Sequence, residues 1–369
     1  MMGKICLISI VDNISTTSIP VNEFVVYRNK TRKGYRQIVF TRIPINNIEV
    51  DIPEDISVYS IPQSKREFRR LIRYILTECK EKGECAIFHL HHQKSALFFF
   101  FSSFLLGIRN RTLFTIHSYY SGRGILYRLS SSLCTLWAKC ANCVSNAAYN
   151  DYPKWIRWIK GHRMMAIPNG IDIERIENAL QHEGKYADIC NINKMVCVDR
   201  MIPIKNQKFI VGLLRLLPDM ELVLIGQEDH KQEIRDLASS LGVIERVTFT
   251  GLLKRDDVYK EINKCGLYVS ASTVEGLHLS VLEAMRVGAI PIISDIPAHR
   301  EIAMRCKQLI APLPFIESVW VDKIQEYQQT DKEELRILSS KLKAVMKENF
   351  SLEKMHEAYD ALYASMIQS

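Results

Sequence analysis

The stretch "STVEGLHLSVLEAMRVGAIPIISD", residues 272–295, carries two glutamates, Glu275 and Glu283, eight positions apart. Just before it, "GLYVS" (266–270) reads as a β-strand ending near Ala271. "SVLEAMRVG" has apolar residues at helical spacing and stops on Gly288, and "AIPIIS" (289–294) reads as the next strand. "STVEGLH" is therefore a loop from the carboxyl end of a parallel strand into a helix N-terminus, the edge where open α/β sheets bind ligands. Backbone N–H groups of Leu277, His278 and Leu279 at the positive helix end favour a phosphate, and Gly276 lets the chain come close. Phosphate repels carboxylates, so two glutamates beside it serve hydroxyl groups, a combination that fits a nucleotide sugar. In the competing reading Glu275 is a helix N-terminal cap and Glu283 a solvated helix position.

Outward from this stretch, the second half of the chain repeats a strand–helix rhythm. "KMVCVDR" (194–200), "ELVLIG" (221–226) and "RVTFTG" (246–251) are strand-like, and "HKQEIRDLASSLG" (230–242) is a helix ending on glycine. The first half alternates similarly. "KICLISIV" (4–11), "RQIVFTRI" (36–43), "ECAIFHLHH" (84–92) and "RTLFTIHS" (111–118) are strand-like, with a helix over "SKREFRRLIRYILTECKEKG" (64–83). Two α/β units with parallel sheets follow, meeting near the turn in "AIPNGID" (166–172), with a helical tail after Asp331. "VDRMIPIKN" (198–206) places Arg200 and Lys205 at the carboxyl edge of the first strand of the second unit, a planar fork and a point charge suited to a diphosphate.

Composition narrows the class. The 369 residues are 47% hydrophobic and 24% charged, an ordinary globular balance, and the longest apolar run, "ALFFFFSSFLLGI" (96–108), is too short to span a membrane. The ten cysteines follow no regular spacing, and the lone C-x-x-C, Cys140 and Cys143, reads as reduced cytosolic thiols rather than a metal site. Residues 1–170 carry a net charge of +13 and the remainder −5. An anionic surface or partner met by the first unit alone is implied. No basic–aromatic module for nucleic acid appears.

In this order, the motifs resemble glycosyltransferase family 4, retaining enzymes of the GT-B fold. "EGLHLSVLEAMRVGAIPIISD" looks like the family's E-x7-E motif, and "DRMIPIKN" like its Arg-x4-Lys diphosphate clamp, with Asp199 where the family usually has glycine. "AIPNGID", "RVTFTGLL", "FTIHS" and "FSLEKM" (350–355) resemble the interdomain turn, the strand beside the base, the strand-end histidine and the start of the terminal helix. The resemblance implies an α/β fold with two Rossmann-like domains facing across a cleft. Residues 1–170, joined by a returning helix at 351–369, would bind the acceptor, and 171–350 the nucleotide sugar. Arg200 and Lys205 would neutralise the donor diphosphate, Glu283 would hold the ribose, and Glu275 with Gly276, Leu277, His278 and Leu279 would meet sugar and phosphate. Leu252 and Leu253 would present backbone to the base, and His117 would reach the sugar. No metal and no other cofactor is implied. The glycine-rich loop of the family is absent from "VDNISTTSIPVNEF" (11–24), where Thr17, Ser18 and Asn22 stand as acceptor contacts instead.

The implied reaction moves a sugar, with retention, from a UDP-sugar or GDP-sugar to a lipid-linked oligosaccharide in surface polysaccharide synthesis of the O-antigen or capsule type. The alternatives are a small soluble acceptor and a non-catalytic sugar-nucleotide scaffold. A polyprenyl-diphosphate acceptor implies peripheral attachment to the inner face of the cytoplasmic membrane. "YPKWIRWIKGHR" (152–163) interleaves Trp155, Ile156, Trp158 and Ile159 with Lys154, Arg157, Lys160 and Arg163, as an interfacial helix does. In the competing reading these aromatics pack into the domain.

Overall fold

The computed structural model describes residues 4–15, 34–48, 52–181 and 191–368. Thr17, Ser18 and Asn22 lie outside the described residues. The chain divides into two compact units, Met1–Gly170 with Leu352–Ser369, and Ile171–Ser351.

The first unit is built on seven parallel strands: β1 (Lys4–Val11), β2 (Tyr35–Thr41), β3 (Ile56–Ser60), β4 (Glu84–Leu90), β5 (Thr112–Ile116), β6 (Cys140–Cys143) and β7 (Met164–Ala166). Their order is β3-β2-β1-β4-β5-β6-β7, so the direction of winding reverses between β1 and β4. β1 is apolar without interruption because both sheet faces are covered. Cys6, Ile8 and Ile10 enter one core with Phe68, Phe88 and Phe99. Ile5, Leu7 and Val11 enter the other with Leu352, Met355, Tyr359, Leu362, Tyr363 and Met366, which share one face of the helix Leu352–Gln368. Cys140 and Cys143 show the same alternation. They belong to the cores on opposite faces of the sheet, so β6 keeps the C-x-x-C from closing on a metal.

The second unit has five parallel strands, β8 (Asn191–Val198), β9 (Glu221–Ile225), β10 (Val247–Gly251), β11 (Cys265–Ser270) and β12 (Ile290–Ile293), in the order β10-β9-β8-β11-β12. The helix Leu279–Val287 after β11 is buried at every position except Ser280. Its two charges therefore need partners inside the protein: Arg286 pairs with Glu177, and Glu283 is taken up below. At the C-terminal end of β9, Gly226 has φ 142°, and a Cβ there would lie 2.2 Å from the carbonyl oxygen of Asp199. Glycine is the residue that lets the chain after β9 pass this close to the chain after β8. Gly226→Ala is expected to lower stability in urea unfolding by on the order of 2–4 kcal/mol, from backbone strain and displacement of Asp199. An unchanged midpoint would show the two segments to be slack.

Candidate active site

The carboxyl ends of β8, β11 and β12 lie side by side because the strands are parallel neighbours, and the segments leaving them converge. Thr273 donates its backbone N–H to the carbonyl of Ile204 at 2.8 Å, tying the loop after β11 to the one after β8. Next to this tie, the Lys205 ammonium contacts Asp199 Oδ1 and donates to Glu275 Oε1 at 2.6 Å. All three side chains are nearly buried. His278 Nε2 lies 3.1 Å from Asp199 Oδ2, and its Nδ1 meets His299 Nε2 at 2.9 Å. His299 Nδ1 donates to the carbonyl of Ser294 at 2.8 Å.

Hydrogen-bond bookkeeping assigns the protons along this row. The Ser294 carbonyl accepts, and the Ser294 hydroxyl gives its proton to the carbonyl of Ser272, so His299 carries its proton on Nδ1 and accepts at Nε2. His278 then donates from Nδ1, and its Nε2 faces Asp199. Asp199 and Glu275 share the Lys205 ammonium, with the His278 ring beside them. Burial would raise the Asp199 carboxyl, but His278 and Lys205 outweigh it and hold it at about 2. Burial opposes the Lys205 charge as well, and the two carboxylates raise its pKa in spite of it. Burial, reinforced by repulsion from His278, pushes His299 down to about 3. Asp199, Glu275 and His278 form one of the two described groups close enough to share a metal, but the Lys205 ammonium sits against both of its carboxylates.

Glu275 is not a helix cap, since the helix Leu279–Val287 begins after His278 without a side-chain cap. Glu283 is not solvated: it is 3% exposed, and its Oε1 accepts from Arg255 Nη2 at 2.5 Å and Tyr259 Oη at 2.9 Å. Arg200 points outward with Asp229 3.4 Å away, its side chain more than half exposed. Leu277 and Leu279 are buried, while Leu252 after β10 is exposed and Leu253 half-buried. Asp199 and His299 have central places that the sequence reading did not give them. "KRDDVYK" (254–260) held the sign of Arg255 and Tyr259, which stand four apart and so on one helix face.

In the first unit, His117 follows β5 with its ring beside those of His91 and His92, at centroid distances of 5.7 and 6.0 Å. Both His117 nitrogens are buried without a hydrogen-bond partner, and burial followed by repulsion from His92 lowers it to about 3. His89 is held between Tyr363 Oη and Thr115 Oγ1, each at 2.7 Å, and His92 Nδ1 accepts the backbone N–H of Asp12. Among the described residues these histidines do not converge on a common metal position.

The family model for glycosyl transferases group 1 matches residues 188–341, the span that holds this site. A GDP-mannose:cellobiosyl-diphosphopolyprenol alpha-mannosyltransferase of Xanthomonas oryzae is 22% identical over 193 residues, 48% of this chain and 49% of the relative. The match thus spans half or less of the length of the curated relatives it finds first, 49% of this one and 13% of the Escherichia coli mannosyltransferase WbdA. Sucrose-phosphate synthase from Thermosynechococcus elongatus superposes with a TM-score of 0.77 at 16% identity, covering 98% of this chain and 99% of that one. Anabaena HepE in complex with UDP-glucose superposes with 0.73 at 16%, covering 97% and 99%. The fold is GT-B, and the residues that the group 1 model matches lie within its second unit.

The cluster makes two demands that can be measured. Lys205→Met leaves two buried carboxylates facing each other and is expected to cost about 3–5 kcal/mol. Adding Asp199→Asn should recover part of that, and strict additivity of the two losses would break the pairing. Histidines held neutral by burial take up protons on unfolding below their ordinary value of about 6.5, so stability falls as pH drops from there toward 3. Asp199, held low, loses its contribution between about 4 and 2, in the same direction. The urea midpoint should fall steadily from pH 7 to pH 4.5, where a flat profile is the contrary result.

Proposed function

We propose that the chain is a retaining glycosyltransferase moving a sugar from a nucleotide-diphosphate sugar, a UDP-sugar in the first place, to a hydroxyl of a lipid-linked oligosaccharide in surface polysaccharide synthesis. The observation that carries this reading is the Lys205–Glu275 pair, held where the loops after β8 and β11 meet, at the start of the helix Leu279–Val287. An ammonium has three donors, and Asp199 and Glu275 take two, which leaves one for a phosphate oxygen. Arg200 supplies an exposed guanidinium and the helix start supplies backbone N–H groups, so leaving-group charge is met by fixed positive groups. In this reading Glu283, oriented by Arg255 and Tyr259, holds the ribose, and Glu275 meets the transferred sugar. Gly276, Leu277, His278 and Leu279 present backbone to phosphate and sugar, Leu252 and Leu253 present it to the base, and His117 contacts a donor hydroxyl. Thr17, Ser18 and Asn22 serve the acceptor.

In this reading no carboxylate among the described residues serves as a covalent nucleophile, and the acceptor hydroxyl attacks from the face the diphosphate leaves, its proton passing to the departing phosphate oxygen. Support for the donor class comes from the HepE complex with UDP-glucose. Support for the lipid-linked acceptor comes from the diphosphopolyprenol named for the Xanthomonas relative. That relative's GDP-mannose favours a second reading, in which the donor is a GDP-sugar. A lipid-linked acceptor puts the work at the inner face of the cytoplasmic membrane, and no described helix is long and apolar enough to cross one.

Mass spectrometry of a donor panel with a polyprenyl-diphosphate oligosaccharide should find nucleotide release and a lengthened acceptor, persisting in EDTA because Lys205 fills the place of a cation. An α-linked donor should give an α-linked product by NMR, and a β-linkage would overturn retention. Glu275→Gln, whose amide oxygen can still accept from Lys205, should lower turnover at least tenfold while lowering the melting temperature less than Lys205→Met does. Equal turnover removes that residue from the mechanism.

A further inference from the structure

Three neighbouring helices of the first unit turn large apolar side chains outward. In the helix Ile125–Trp137 the exposed positions are Ile125, Leu126, Leu129 and Leu133, a single stripe at helical spacing. The face turned inward carries Ser131, Ser132 and Thr135. Their hydroxyls are satisfied by tyrosines: Ser131 and Thr135 bond Tyr152 Oη, and Ser132 bonds Tyr120 Oη. The helix Gln93–Ser103 packs beside it and buries Ser95, Ser102 and Ser103 together with Phe99 and Phe100, while Phe101 and, just beyond its end, Phe104 and Leu105 face out. On the other side, the helix Lys154–Lys160 exposes Trp155, Trp158 and Ile159 and buries Ile156 and Lys160. The Lys160 ammonium caps the preceding helix, donating to the carbonyls of Ala138 and Lys139 at 2.5 and 2.9 Å.

This arrangement corrects both sequence readings of 152–163. Ile156 does not share a face with the tryptophans, and the tryptophans do not pack into the domain. Leu126 is 80% exposed, Trp158 83% and Leu105 73%. Polar groups have been drawn into the protein and satisfied there, while leucine, phenylalanine and tryptophan are left outside. Water does not reward that pattern, so something else covers it.

Charge says what covers it. Residues 91–170 hold ten lysines and arginines against one acidic residue, Asp151. Asp151 is already occupied, accepting the backbone N–H groups of Tyr120 and Ser121 at 2.7 and 2.9 Å. Lys94, Arg109, Arg111, Arg123, Lys154 and Arg163 are exposed around the apolar stripes. A second copy of the chain docked face to face would set this positive field against itself. Helices of 11, 13 and 7 residues are too short to span a bilayer. Amphipathic helices with tryptophan and leucine outward and cations at the rim suit the headgroup layer of an anionic membrane.

We propose that the face made by Phe101, Phe104 and Leu105, by Ile125, Leu126 and Leu129, and by Trp155, Trp158 and Ile159 is a docking surface for an anionic lipid bilayer. It rests on the reading of a lipid-linked acceptor and supplies the site by which the enzyme meets it.

The test uses the full chain with vesicles of phosphatidylcholine, alone or with phosphatidylglycerol. Co-sedimentation should require the anionic lipid and weaken in high salt, as screened charge does. Leu126→Gln/Leu129→Gln, at exposed positions outside the sugar-transfer site, should reduce partitioning at least tenfold while leaving circular dichroism and nucleotide affinity unchanged. Tryptophan emission should shift to the blue on anionic vesicles and lose that shift in Trp155→Tyr/Trp158→Tyr. Indifference to lipid charge, or wild-type partitioning by the leucine variant, overturns the proposal. So does a solution dimer that the leucine variant dissociates while vesicles remain unbound. Vesicle binding without nucleotide release from any donor would leave this surface standing and sink the transfer reading, and nucleotide release without vesicle binding would do the reverse.

Discussion

An ammonium held between two carboxylates organises the second unit. Lys205 bridges Asp199, at the end of β8, to Glu275, in the loop after β11. Each of the three would be costly to bury alone, and together they can sit out of water only while all are present. That condition fixes the loop after β11 against the loop after β8 and aims the helix Leu279–Val287. His278 packs behind Asp199 and leans on His299, so the helix after β12 joins the same network. A change in any one strand end is therefore felt at the other two.

Glu283 follows a related logic one turn deeper. A carboxylate inside a helix buried nearly all round would shift toward its neutral form unless donors met it. Arg255 and Tyr259, from the helix Arg255–Asn263 after β10, supply them. The two glutamates of the opening stretch thus belong to separate networks, each tying the segment after β11 to a different strand end.

How much of this was legible depended on whether the cause was local. All five strands of the second unit could be read because each is an apolar run bounded by turn residues. In the first unit β3, β6 and β7 could not: five, four and three residues give no period to read. Glu275, Lys205 and Glu283 stood out by spacing. Asp199 registered only as a departure from glycine, and His299 not at all, because their importance comes from strands that sequence spacing cannot align. The stripe 154–160 was read as four residues on one side, whereas at helical spacing Ile156 turns away from Trp155, Trp158 and Ile159. The leucine stripe at 125–133 passed unnoticed, since apolar spacing says which residues share a face and not which way the face looks.

The helix Leu352–Gln368 belongs to the first unit although the whole second unit precedes it in the chain. The second unit is thus an insertion, entered at Ile171 and left at Ser351, two residues bridged to each other. On the ribosome the order of completion is inverted. The second unit has all of its strands and helices once Ser351 emerges, while the first, begun earlier, keeps one face of its sheet open. Ile5, Leu7, Val39 and Leu113 wait there for Met355, Tyr359 and Tyr363. The unit begun earlier is the later to close, and its closing depends on the seventeen-residue helix that follows the second unit.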